Sequence, residues 1–143
     1  MKRQLPFAED VSSDLSALAY THEVQERAEK IFDFYTREQA LDKIREELAE
    51  LEEAIARGSG IEEELGDLFF TMVNLACRLG LNAEQTSRLS AEKFIRRVRW
   101  VQKQLTQNQT LEDLSLQEWE ALWIAAKRYE KEKAHTRLQC AEN

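Results

Sequence analysis

Two acidic clusters separated by a glycine break restrict this chain more than any other feature. Glu46-Glu47-Leu48-Ala49-Glu50 is followed by Gly58-Ser59-Gly60, then by Glu63-Glu64-Leu65-Gly66-Asp67 running into Leu68-Phe69-Phe70-Thr71-Met72-Val73-Asn74-Leu75-Ala76-Cys77. From Leu65 to Leu79 nearly every residue is apolar, which predicts a helix buried on most of its circumference. Glu64, Asp67, Thr71, Asn74 and Arg78 nonetheless recur at steps of three, four, three and four, drawing one polar line along it. Unpaired carboxylates in such a setting must be neutralised, because stripping water from an ion costs several kcal/mol or more. A positive group is therefore expected opposite Glu64 and Asp67.

The preceding segment adds negative charge. On a helix, Glu47 and Glu50 project from one face with Glu46 and Glu53 near its edge. A short loop from Arg57 to Gly60 lets the two helices pack as an antiparallel hairpin, bringing Glu47 and Glu50 opposite Glu64 and Asp67. Four carboxylates converging on one place call for a cation. With no Cys or His in the cluster to favour zinc, oxygen ligands suit Mg²⁺, with Mn²⁺ as a possible substitute. A lone Glu-Glu-x-x-Glu in a chain that is 33% charged is an ordinary solvated face; the paired pattern is what carries the reading.

Composition limits the rest. A chain of 143 residues suits one domain with its own core, and one Pro with four Gly leaves little material for a many-turned β fold. The expected fold is all-α, a bundle of about five helices, with residues 1–11 as an N-terminal arm and residues 131–143 as a frayed tail. A net charge of −7 argues against a nucleic-acid surface or an anionic membrane, so any polyanion binding must be local. Two cysteines, Cys77 and Cys140, make no disulfide framework, and no apolar run has transmembrane length. Without a signal-peptide pattern at the N-terminus, a cytoplasmic location is expected.

Along the chain, Ser12, Ser13 or Asp14 is expected to cap a first helix whose apolar line runs from Leu15 to Phe32. Tyr20 and His22 on it read as surface or satisfied core groups. Phe32-Asp33-Phe34-Tyr35 reads equally as core or as a stacking surface for a base. The second helix covers Thr36 to Arg57, and the third covers Ile61 to Leu79 with Gly80 as its stop. Asn82-Ala83-Glu84-Gln85 opens a fourth that concentrates Lys93, Arg96, Arg97, Arg99 and Lys103, either a solvated face or a clamp for phosphates. Ser115-Leu116-Gln117-Glu118 caps the last helix, where Trp123 and Lys127 lie one turn apart, as packing or as a lid over a ligand.

With those stretches in view, the sequence resembles the MazG family of all-α nucleoside triphosphate pyrophosphohydrolases, in particular the catalytic C-terminal domain of its two-domain members. The resemblance rests on Lys43-Ile44-Arg45-Glu46-Glu47-Leu48-Ala49-Glu50, Glu63-Glu64-Leu65-Gly66-Asp67-Leu68-Phe69-Phe70, Val73-Asn74-Leu75-Ala76 and Lys93-Phe94-Ile95-Arg96-Arg97. It implies that Glu47, Glu50, Glu64 and Asp67 hold Mg²⁺, and that Lys93, Arg97, Trp123 and Lys127 contact the substrate. Glu46 or Glu47 would act as base, with Lys93 and Arg97 steadying the phosphates. It further implies cleavage of a nucleoside triphosphate between its α and β phosphates, in a homodimer whose helices join into a larger bundle. Two positions depart from the family pattern: Ala91 stands where Asn is usual, and Ile31 where Gly is common before the Phe-Asp-aromatic stretch. Relatives acting on dCTP, dUTP or phosphoribosyl-ATP share the acidic clusters, and a non-catalytic helical module is the reading from outside enzymology.

Overall fold

A computed structural model describes residues 6–32 and 35–141, so Asp33 and Phe34 of the aromatic stretch lie outside the described residues. The architecture is all-α: α1 (Ala17–Glu29), α2 (Arg37–Arg57), α3 (Ile61–Arg78), α4 (Ala83–Gln104) and α5 (Leu116–Ala141), with a 3₁₀ turn at Leu111–Asp113. Two compact units divide these residues, one ending at Ser87 and one beginning at Arg88, with the boundary inside α4.

Local chemistry sets the helix ends. The first helix begins later than its serine-rich lead-in suggests, because the Ser16 hydroxyl accepts from the Ala19 N–H at 3.4 Å and so fixes the start itself. At the start of α2, the Gln39 N–H donates to Thr36 Oγ1 while the Thr36 N–H donates to Gln39 Oε1, at 3.2 and 2.9 Å. The hairpin between α2 and α3 is made by Gly58 and Gly60, both at φ 75°, a region where a Cβ is strained. Gly58 N–H bonds back to Ala54 O at 2.9 Å and closes α2, while Gly60 opens α3. Ser115 and Glu118 exchange the reciprocal bonds that start α5.

In the first unit α3 packs on both α1 and α2. Its orientation corrects one expectation. Of the polar line, Thr71 and Asn74 are buried together with Val73, Glu64 and Arg78 are half-buried and Asp67 is exposed, whereas Leu65, Phe69, Phe70 and Met72 are exposed in the single chain. Helices α1 and α2 pack on α3, and on the side bearing Asn74 the buried amides find partners. Gln25 of α1 accepts from Asn74 Nδ2 at 3.0 Å and donates from its own Nε2 to Phe70 O at 3.3 Å. Leaving either amide unpaired in this place would cost about 1–3 kcal/mol.

His22 makes a second pin between α1 and its neighbours. Its Nδ1 accepts from the Ala83 N–H at 3.4 Å, its Nε2 lies 3.3 Å from Glu26, and the Cys77 sulfur lies 3.5 Å from the ring. Burial, helped by Glu29 and Glu26 and opposed by Arg78, pushes the Cys77 thiol up to about 11, so it stays protonated at neutral pH.

In the second unit the last part of α4 and α5 meet through large side chains. Phe94 and Trp123 rings are 5.4 Å apart, Trp100 and Tyr129 5.7 Å, and Trp119 stacks on Trp123 at 5.9 Å. Val101 and Ala126 are buried.

Candidate metal centre

The antiparallel hairpin carries α2 carboxylates to α3. One oxygen each from Glu47, Glu64 and Asp67 lies within 4.8 Å of the others. Carboxylates gathered this closely repel one another, the more so where Glu47 is buried and Glu64 half-buried. Among the described residues no cationic side chain is ion-paired with Glu64 or Asp67, where a positive group is expected; the lysine of the cluster pairs with the α2 carboxylates instead. Lys43, one turn before Glu47, places its Nζ 2.8 Å from Glu47 Oε1 and 3.2 Å from Glu46 Oε1. These two carboxylates hold the Lys43 ammonium well above its ordinary range.

One lysine does not match the charge. Glu47 Oε2 is buried without a hydrogen-bond partner, an orphan acceptor of a kind that folded proteins rarely leave. Glu50, the fourth expected ligand, is not within the tight group. Its carboxyl is nevertheless pushed upward, first by lost hydration and then by the charges of Glu47, Glu64 and Glu46, with Lys43 opposing. It thus lies in the field of the cluster. Glu46 is exposed beside it and is held by Lys43.

A cavity of about 440 Å³ opens beside the carboxylates, its lining including charged Lys43, Glu47 and Asp67 as well as Ala28, Tyr35, Ala40 and Phe70. Gln25, Thr71 and Asn74 line it as well. A volume and a mixed lining of this kind suit a small-molecule ligand with one charged end. Asn74 stood on the polar line, and its amide is oriented by Gln25. Sequence reasoning missed Gln25, since a single glutamine on an amphipathic helix gives no signal until the helix it packs on is known. Lys43 was visible only as part of a motif; its spacing of four before Glu47 was the available clue.

The basic candidates belong to the second unit. Arg97 donates from Nε to Glu130 Oε2 at 2.8 Å, and its guanidinium lies 5.8 Å from the Trp123 ring centroid. Lys93 and Lys127 are both exposed. Trp123, half-buried between Phe94 and Trp119, is therefore engaged in packing and in holding Arg97.

The charge pattern gives a prediction with two opposite signs. Because folding raises the Glu50 carboxyl above its ordinary value, its stabilising contribution exists below that value and is lost as pH rises through the folded one. At neutral pH ionised Glu50 therefore opposes folding of the metal-free chain. Glu50→Gln should raise the melting temperature in EDTA at pH 7, with the gain vanishing near pH 4, and should reduce the further rise produced by Mg²⁺. Thermal denaturation followed by circular dichroism reads both effects.

Comparison with known proteins bears on the same residues. Residues 13–102 match the model of the MazG nucleotide pyrophosphohydrolase domain, a span that includes both acidic clusters, Lys93 and Arg97, and stops before Trp123 and Lys127. The chain is 33% identical over 135 residues to the nucleoside triphosphate pyrophosphohydrolase of Escherichia coli (strain K12), covering 90% of this chain and 51% of that protein. It is 32% identical over 120 residues to the nucleoside triphosphate pyrophosphohydrolase/pyrophosphatase MazG of Thermotoga maritima, covering 82% of this chain and 47% of that one. The chain thus spans about half the length of the curated relatives it matches. An all-helical chain with paired acidic clusters on an α2–α3 hairpin, matched by this model over more than half its length, belongs to the MazG nucleotide pyrophosphohydrolase family.

Proposed function

We propose that the chain hydrolyses nucleoside triphosphates, ribo or deoxy, between the α and β phosphates, giving the monophosphate and pyrophosphate. The carrying observation is the group of three carboxylates beside a cavity whose lining mixes charged, amide and apolar side chains. The names of the relatives support the same reaction for this chain. The donor set fits a hard divalent cation: it is all oxygen, it has more negative charge than Lys43 offsets, and it includes the orphan Glu47 Oε2. Glu47, Glu64 and Asp67 would hold Mg²⁺, or Mn²⁺ in its place, and Glu50 is the fourth ligand of this reading. When bound, such a cation offsets charge on the triphosphate and lowers the pKa of water.

The remaining steps belong to side chains. Glu47 is paired with Lys43 and would be one of the cation's ligands, so exposed Glu46 is the group that would take a proton from water as it displaces pyrophosphate from the α phosphorus. Lys43 keeps Glu46 and Glu47 oriented. The part of the cavity formed by Ala28, Tyr35 and Phe70 receives the nucleoside, and buried Asn74, fixed by Gln25, offers it a hydrogen bond. Within the second unit, Lys93, Arg97 and Lys127 are the candidates for phosphate contacts, and the Arg97 guanidinium lies 5.8 Å from the Trp123 ring centroid. No described helix is long and apolar enough to cross a membrane, and we assign the enzyme to the cytoplasm, where its substrates are abundant.

Pyrophosphate release from a panel of nucleoside triphosphates with Mg²⁺ tests this directly. Turnover should fall by about three orders of magnitude or more in Asp67→Asn, a loss of roughly 4 kcal/mol of transition-state stabilisation, with the fold retained. Full activity in that variant would remove the carboxylate group from the reaction.

The assembly of this reading is a homodimer. Leu41, Leu48 and Ile55 recur every seven residues on α2, Leu65, Phe69 and Met72 follow at steps of four and three on α3, and all six are exposed in the single chain. Two apolar stripes at helix-packing spacing match the seam of a helix bundle, and a second copy supplies its other half. Light scattering should give twice the 16.7 kDa chain mass, and Phe69→Glu should return the monomer. A wild-type monomer would contradict it.

A further inference from the structure

The net charge of the chain conceals a division. Up to Ser87 the sequence has nine Lys and Arg against nineteen Asp and Glu; from Arg88 onward it has eleven against eight. Much of that positive charge borders one groove of the second unit, a cavity of about 860 Å³ between α4 and α5. Arg96, Arg99 and Lys103 line it from α4, and Lys133 and Arg137 from α5. One carboxylate, Glu130, lines it too, and it is taken by Arg97 at 2.8 Å and Arg96 at 3.8 Å. Among the described residues, no carboxylate lies within ion-pair distance of Arg99, Lys103, Lys133 or Arg137.

We propose that this groove binds the backbone of a single-stranded nucleic acid. Like charges gathered along two walls repel one another and are stabilised by a polyanion. On each helix the cations recur about one turn apart, roughly 5.4 Å along the axis, a step that follows successive phosphates of an extended strand. The cavity admits a segment of small-molecule size and so takes one strand rather than a duplex. Its aromatic floor is already engaged: Tyr129 packs on Trp100, and Lys133 Nζ sits 5.4 Å from the Tyr129 ring centroid. Bases therefore gain little by stacking, and recognition is of phosphates without regard to sequence. The chain-wide charge pointed away from nucleic acid because it averages two units of opposite character.

Fluorescence anisotropy of labelled oligo(U) and oligo(dA) with the intact protein tests the proposal. Both should bind equally at low salt, and a fourfold rise in salt should weaken binding about fifty-fold, as four phosphate contacts on a single strand require. Lys103→Glu with Arg137→Glu should weaken binding about tenfold or more while pyrophosphate release from a nucleoside triphosphate is unchanged. Should that pair disturb the helical circular dichroism, Lys103→Gln with Arg137→Gln serves instead and should also weaken binding. Absence of binding at low salt, equal binding by the variants, or capture of inorganic polyphosphate without the oligonucleotides would overturn it. So would conversion of a dimer to monomer by these substitutions with no oligonucleotide bound by the wild type, which would make the groove an interface between copies.

Discussion

Repulsion among carboxylates held together by an antiparallel hairpin is the constraint around which the first unit is arranged. Glu47 from α2 and Glu64 and Asp67 from α3 converge because Gly58 and Gly60 turn the chain tightly enough to lay one helix back on the other. Lys43 relieves part of the strain from within α2, and the Glu50 carboxyl registers what is left. Three carboxylates graded from buried Glu47 through half-buried Glu64 to exposed Asp67 repel one another, and a bound cation would relieve them. The polar pair Gln25 and Asn74 extends the same logic to the adjoining cavity, where buried amides fix each other and the register of α1 on α3.

Much of this was legible in the sequence, for reasons that differ by residue. The acidic clusters announced themselves because carboxylates at helical spacing inside an apolar run conflict with burial. The later helices followed from capping residues such as Asn82 and Ser115 and from the glycines at Gly58, Gly60 and Gly80. The facing of α3 was not legible. Its apolar residues outnumber its polar ones, and a single-sequence reading assigns the apolar majority to the interior of the chain. In the structure Thr71 and Asn74 face inward with Val73, while Phe69, Phe70 and Met72 face out. Periodicity shows that a helix has two faces; which one an intrachain neighbour covers depends on what that neighbour offers, and Gln25 offers an amide.

The second unit shows the same limit for charge. Lys93, Arg96, Arg97, Arg99 and Lys103 were recognisable as a basic patch, but not as groups with different surroundings. Arg97 is tied to Glu130 and Trp123, while Arg99 and Lys103 line a groove with cations from α5. Sequence spacing puts Glu130 and Arg137 nearly two turns apart on one helix; only the packing of α5 on α4 decides which arginines each of them meets. Trp123 likewise fills two roles at once, as a packing partner of Phe94 and as a support for a guanidinium.

The central claim is that the convergent carboxylates of the first unit form a cation site. Crystals grown with Mn²⁺ and measured at an energy where manganese scatters anomalously address it without reference to turnover. The account predicts an anomalous peak between Glu47, Glu64 and Asp67, absent in crystals of Glu47→Gln grown alongside. A peak elsewhere, or none between these side chains at saturating Mn²⁺, would contradict it.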